Sequence, residues 1–215
     1  VVDAVKLPVL NLSDPADRLR AQDCRARLFH LMPSERMRAD ALAQTLVSRK
    51  WTQLLLLVGP SPADQLRAAT VQASMKRYGL KAVASGLVAV AWHAQFERFG
   101  APQVSRRFAK ATRRPMTAHD WSAWMAGKAL VGAAVAAPKG PNAAWAQALA
   151  KTPVDGSKGT AMTFRAWDGQ LRQTLLLTDG QGVISQAPIE GLLHPSNVLD
   201  TLGADAPEKL CKAPR

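Results

Sequence analysis

The chain contains few of the residues that form membrane spans or metal sites. No apolar run approaches the ~20 residues that a transmembrane helix needs. It has only two cysteines, Cys24 and Cys211, and four histidines scattered along 215 residues. Zinc sites use clustered cysteine or histidine pairs, and no such pairs are present. We therefore expect no metal site and no bound cofactor.

Short catalytic motifs are also missing. There is no glycine-rich dinucleotide or phosphate loop after a strand, and no Gly-x-Ser-x-Gly nucleophile elbow. No nucleophile has a convincing base near it in the sequence. These absences favour a binding protein over an enzyme.

Basic residues outnumber acidic ones: the chain has 28 Lys and Arg, 16 Asp and Glu, and a formal net charge of +12. Such an excess is compatible with nucleic acid, a membrane surface or a small anion as the partner. The two arginine pairs, 106–107 and 113–114, make nucleic-acid binding one alternative function. Most of the charge is equally well explained by a generally basic surface.

An unbroken apolar run from Leu54 to Val58 lies between two segments with helical or strand-like spacing. Such a run, bounded by Gly59, is typical of a strand buried on both faces of a parallel sheet. Helical spacing of apolar residues precedes it, between Ala39 and Val47, and a second candidate strand follows at 82–84. This alternation predicts an α/β domain, whose ligands bind at the carboxyl ends of the strands.

The segment between those strands predicts a helix. Ser61 is suited to cap it, Pro62 to stand in its first turn and Gly79 to end it. We expect Leu66, Ala69 and Ala73 to form its apolar face.

Further elements follow from local patterns, with strands expected at 7–12, 27–31 and 87–91 and a polar surface loop at 17–27. A pattern like a capping box from Thr117 to Asp120 begins a helix that Pro138 ends, and Asn142 is suited to cap a short one. Asp168-Gly169 predicts a hairpin that joins strands at 162–167 and 171–177.

Two adjacent strand candidates meet at Ser85–Leu87 without the crossover that parallel strands need, and the strand at 7–12 lacks preceding partners. We therefore expect segments to be missing before Val1 and between Gly86 and Leu87.

Several strings resemble one bacterial family: Leu28-Phe29-His30, Ala39 to Gln44, Ala91-Trp92-His93, Trp167 to Gln173 and Leu199 to Gly203 are among them. That family is the ABC transporter substrate-binding proteins associated with PQQ-dependent catabolism, which is similar to the type I periplasmic binding proteins of branched-chain amino acids. The resemblance implies an α/β fold of two doubly wound parallel-sheet lobes with a hinge, here incomplete. It assigns 1–26 to the N-terminal lobe, 27–86 to the second lobe, 87–159 to a return to the N-terminal lobe, and 160–215 to a hairpin and tail completing the second.

Function also follows from this resemblance. It implies a periplasmic, monomeric protein that passes a small polar or anionic solute to an ABC permease in the inner membrane, without nucleic acid as a partner. PQQ itself or a metabolite of PQQ-dependent alcohol oxidation is one candidate solute. An extracytoplasmic ligand sensor is an alternative. The expected ligand-binding residues are Ser13, Asp14, Ser61, Asp64, Trp92 and His93.

The two cysteines allow either free thiols or one disulfide closing a very long loop. The resemblance includes a cysteine near each end, and it places Cys24 and Cys211 beside the same lobe. It therefore implies that they pair, which would require an oxidising compartment.

Overall fold

The computed structural model describes residues 6–51, 58–80, 87–140 and 142–212. The α-helices among them are α1 Glu35–Ser48, α2 Pro62–Arg77, α3 Ala101–Thr112, α4 Ala118–Ala136 and α5 Asn142–Lys151. The strands are β1 Val9–Asn11, β2 Leu28–His30, β3 Val88–Val90, β4 Val154–Asp155, β5 Ala161–Met162, β6 Leu175–Thr178 and β7 Val183–Ala187. Short 3-10 helices span Asp17–Arg20, Val198–Thr201 and Ala206–Glu208. Of the expected strand Leu54–Val58, only Val58 is described, without strand structure, and the expected strand 82–84 lies outside the described residues.

Local capping chemistry sets the helix starts, as the sequence predicted. The Ser61 hydroxyl accepts a hydrogen bond from the Asp64 amide at 3.1 Å, with Pro62 in the first turn of α2. Thr117 and Asp120 form a reciprocal capping box at the start of α4. Gly79 follows α2 with a φ of 71°, a conformation that glycine adopts without steric cost.

The strands form three small sheets. β1 and β2 are parallel, with Val9 opposite Leu28 and Asn11 opposite His30. β3, β6 and β7 form an antiparallel sheet in that order, and β4 pairs antiparallel with β5. The turn expected at Asp168-Gly169 is present, closed by a hydrogen bond from the Arg165 amide to the Gln170 carbonyl at 2.8 Å. The strands around this turn are shorter than predicted, because Ala161–Met162 pairs with β4 instead.

Two sequence predictions about surfaces are wrong. The expected apolar face of α2 is exposed, and Leu66 is 69% exposed. Ala68 and Met75 are buried instead, and Met75 packs with residues of α1. The segment 17–27 is not a surface loop throughout. Arg20 and Cys24 within it are buried, and a 3-10 helix spans Asp17–Arg20.

Apolar side chains pack into separate cores. The first core includes Phe29, Trp92, Trp121, Met125 and Phe164, together with residues of α5 and β4. The second core combines α1 with the β3–β6–β7 sheet, and its members are Met37, Ala41, Ala89, Leu175, Leu177, Ala187 and Leu202. A small adjoining cluster joins α1 to α2, and its members are Ala43, Leu46, Met75 and Leu80. We call the parts built around them the first body and the second body.

The chain passes between the two cores three times. It leaves the first core after Leu31 and enters the second at Met37, returns between Ala89 and Ala91, and crosses again at β6. There Leu175 and Leu177 belong to the second core, and Leu176 belongs to the first. None of the described helices combines the length and apolar character required to cross a bilayer.

Candidate functional site

A cleft of about 390 Å³ lies where the two bodies face each other. Asp17, Arg20 and the turn after β5, including Arg165 and Gln170, line its first-body side. The start of α1 and the exposed side of α2 line its second-body side. Its volume falls within the range of small-molecule sites in proteins, about 300–1,000 Å³.

Arg20 forms the most enclosed part of the first-body wall. Its guanidinium donates to the Gln170 side-chain oxygen at 2.9 Å and to the backbone carbonyls of Asp14, Ala16 and Met32 at 3.1, 2.9 and 2.8 Å. Burial lowers its pKa to about 10, and the nearby Asp17 carboxylate partly opposes that shift. Arg20 therefore fixes the loop after β1 and adds positive potential at the cleft wall.

Arg165 lies next to Arg20 in the cleft wall and is also buried. It donates to Asp200 at 2.9 Å and to the carbonyls of Leu199 and Leu202 at 3.0 and 2.6 Å. These contacts fasten the turn after β5 to the segment that follows β7. Arg165 is consequently a structural wall of the cleft, with its charge paired.

Arg36 and Arg77 present their charges from the second body. Arg36 makes a two-pronged contact with the Glu208 carboxylate, both distances being 2.7 Å, and Arg77 contacts the buried Asp40 at 2.7 Å. Burial opposes the charged form of Arg36, but the hydrogen bonds and charge of Glu208 outweigh it and raise the pKa of Arg36. Both side chains are partly exposed, at 18% and 39%.

The predicted residues Ser13 and Asp14 lie beside this cleft, in the loop at the carboxyl end of β1. Their amides donate to the Asn11 side-chain oxygen at 3.2 and 2.9 Å, and the Asn11 amide group contacts His30 at the end of β2 at 2.9 Å. The Asp14 carbonyl is one of the acceptors of Arg20. This loop is therefore held against the first-body wall of the cleft.

The other predicted residues lie elsewhere. Ser61 and Asp64 bond each other at 2.6 Å at the start of α2, before the turns of α2 that line the cleft. Trp92 is 2% exposed and stacks on Trp121, with ring centroids 6.1 Å apart. His93 is half-buried after β3 and accepts from the Gln95 amide at 3.4 Å. Within the described ranges, no hydrogen bond or ion pair joins these residues to the Ser13–Asp14 loop.

Lys158 is a buried cation at the crossings between the two bodies. Its ammonium donates to the carbonyls of Ala91 and Thr174 at 2.8 and 2.6 Å and to the Gln173 side-chain oxygen at 3.2 Å. Gln173 in turn donates to the Leu31 carbonyl at 2.7 Å. Lys158 and Gln173 together thus join all three crossing segments. Burial lowers its pKa well below the ordinary value.

Sequence reasoning missed Arg20, Arg36, Arg165 and Lys158. Each is charged, and charged residues favour exposed positions. The only available signal was the turn chemistry of Asp168-Gly169, which brings Arg165 and Gln170 together. Among the described residues, no group of three His, Cys, Asp or Glu is placed to hold a metal ion.

The fold of the chain is similar to that of several solved structures. No protein-family model and no curated protein matches the chain. Among solved structures, a leucine-, isoleucine-, valine-, threonine- and alanine-binding protein from Brucella ovis, in a closed conformation, is 13% identical with a TM-score of 0.71; the match covers 96% of this chain and 73% of that one. An ABC transporter substrate-binding protein from Sphaerobacter thermophilus is 12% identical with a TM-score of 0.72, over 87% and 74% of the two chains.

A third match is a solute-binding protein of an ABC transporter from R. palustris in complex with benzoate. It is 10% identical with a TM-score of 0.64, over 80% of this chain and 67% of that one. These likenesses confirm the predicted fold class: the chain has the mixed α/β fold of the periplasmic binding proteins. At such identities they establish the fold alone.

Proposed function

We propose that the chain is the solute-binding component of an ABC transporter and that it holds a small carboxylate in the cleft between its two bodies. The observation that carries this proposal is the cleft itself, which has walls from both bodies and arginines on each side. Binding that joins two bodies across crossing segments is the usual basis of hinge closure. The proposed activity is binding and release, without turnover.

The arginines of the walls favour an anionic group on the solute, and Asp17 and Asp168 also line the cleft. Arg36 already forms a two-pronged contact with a carboxylate, that of Glu208, which is the geometry that arginine prefers. The proteins with similar folds carry names that state amino acids in one case and benzoate in another. Both ligand classes contain a carboxylate, a group that arginine side chains bind.

The finer parts of the proposal rest on the sequence. We propose that the protein belongs with the binding proteins of PQQ-dependent catabolism, works as a periplasmic monomer with an inner-membrane permease, and takes PQQ or a related acid. The loops with Ser13 and Asp14 and with Ser61 and Asp64 would approach the solute when the bodies close. Trp92 and His93, also predicted from the sequence to bind the solute, follow the crossing segment at β3, where Trp92 is buried.

Isothermal calorimetry with benzoate, leucine and PQQ tests the proposal. A variant that fills the cleft, Ala69→Phe, has a matched control on the same helix, Gln72→Phe. Both positions are exposed, and only Ala69 lines the cleft. We expect a carboxylate to bind the parent protein and the control alike, and the Ala69→Phe affinity to fall at least about tenfold, since a phenyl ring occupies the space of the solute.

Two results would contradict the proposal. One is tight binding of a neutral or cationic solute with no binding of any acid in the panel. The other is equal affinity of the Ala69→Phe and Gln72→Phe variants for a bound acid, which would move the site away from this cleft. Thermal melts of both variants verify that each is folded.

A further inference from the structure

A second feature, separate from the cleft, is a strongly basic stretch of the first body. Residues 98–119 contain six Arg and Lys and no Asp or Glu. The charge of this stretch, +6, is half of the net charge of +12. The six are Arg98, Arg106, Arg107, Lys110, Arg113 and Arg114. A solute cleft elsewhere on the molecule does not account for this concentration.

Three of these charges lie on helix α3. Arg106, Arg107 and Lys110 are exposed, whereas Ala101 is fully buried and Phe108 packs against the first core. Arg113, which follows the helix, is also exposed. The orientation of the basic face is therefore fixed by the packing of the opposite face.

Most of these cations have no internal counter-charge. Arg114 pairs with Asp120 at 2.6 Å. In the part of the chain that the structure describes, Arg107, Lys110 and Arg113 form no ion pair. Like charges held on one helix repel one another, so the arrangement weakens the isolated protein slightly and is relieved by an anionic partner.

We propose that this face, which we call the α3 basic face, docks on an anionic phospholipid surface. The Cys24–Cys211 disulfide points to an oxidising compartment, outside the cytosol and nucleus that hold most nucleic acid. Phe99, 53% exposed, lies just before α3 under the guanidinium of Arg98, at 5.2 Å from the ring centroid to Cζ. An exposed aromatic ring beside basic residues suits the membrane interface.

Nucleic acid fits these observations less well. Binding of single strands uses exposed aromatic rings in series, on which successive bases stack. None of the exposed residues of α3 itself is aromatic, and Phe108 packs against the first core. The α3 basic face can therefore attract phosphates, but Phe99 alone does not give successive bases a series of stacking rings.

Vesicle flotation measures the proposed interaction directly. The probes are vesicles of phosphatidylglycerol mixed with phosphatidylcholine and vesicles of phosphatidylcholine alone. Each basic residue near an anionic surface strengthens binding about fivefold, so the triple variant Arg107→Gln, Lys110→Gln, Arg113→Gln should lose about 100-fold in partition. Binding of the parent should also weaken as salt screens the surface.

The matched control removes the same charge elsewhere: Lys50→Gln, Lys76→Gln, Lys209→Gln, at exposed positions outside 98–119. We expect it to retain most of the parent's partition into anionic vesicles. Equal losses in the two triple variants, or equal binding of the parent to neutral vesicles, would overturn the proposal. So would preferential binding of a single-stranded oligonucleotide that the α3 substitutions abolish. The test is independent of the cleft, since it contains no solute.

Discussion

Replacing Lys158 with Met should change how the stability of the protein depends on pH. The ammonium is 1% exposed and has three oxygen acceptors, and its Nζ lies 4.0 Å from the centre of the Trp121 ring. No ion pair among the described residues involves it. Without a carboxylate nearby, burial dominates and lowers the pKa of Lys158 in the folded state.

The sign of the effect follows from the two pKa values. In the unfolded chain the lysine pKa is about 10.4, and in the folded protein it is well below that. Between those values the unfolded chain binds one more proton than the folded protein. The free energy of unfolding therefore rises with pH in this window, by up to about 1.4 kcal/mol per pH unit from this group. The rise ends as pH approaches the unfolded value.

Urea unfolding of the parent and of Lys158→Met from about pH 8 to about pH 10 measures this slope. Methionine occupies the same buried position as the lysine but does not titrate. The carbonyl and amide oxygens that lose their donor lower the free energy of unfolding by about the same amount at every pH. Tyr78 and Arg20, whose pKa values also shift on folding, are common to both proteins and cancel. Parallel curves of stability against pH would refute the reasoning, whatever their vertical separation.

Two further predictions concern the tail and the bodies. Replacing both Cys24 and Cys211 with Ser should lower the free energy of unfolding by up to about 5 kcal/mol, because the disulfide spans 187 residues of sequence and restricts the unfolded chain. A loss below about 1 kcal/mol, measured by urea unfolding, would contradict this prediction. Saturation with a carboxylate that calorimetry shows to bind should reduce the radius of gyration in small-angle scattering, since the cleft has walls from both bodies; an unchanged radius would argue for a site on one body.

Local chemistry explains why some elements were predictable. Ser61 with Pro62, and Thr117 with Asp120, begin helices through contacts within three residues, so no tertiary information is needed. The turn at Gly169 is similarly local. The fold class came from the order of elements and from the resemblance, although its two predicted central strands lie largely outside the described residues.

Tertiary packing explains the failures. In the alanine-rich α2 several stripes are apolar enough to pack, and contact with α1 selected Ala68 and Met75 over Leu66. Arg20 and Lys158 are buried because backbone carbonyls from distant segments accept their hydrogen bonds, and no local pattern reports such partners. The rule of strand carboxyl ends, applied after Val58, pointed to Ser61 and Asp64, which do not line the cleft, and no local pattern identified the arginines that do.

Polar contacts concentrate where the chain crosses between bodies, and this has a mechanical consequence. Lys158 and Gln173 hold the three crossing segments by directional hydrogen bonds, whereas each core packs by non-directional apolar contact. Rotation at the crossings must preserve or break those bonds, so they set the relative angle of the bodies more sharply than apolar packing can. The Cys24–Cys211 disulfide adds a covalent link from the loop before β2 to the segment that follows the second core. For the proposed solute binding, a hinge held at these points would permit closure but only a limited range of opening.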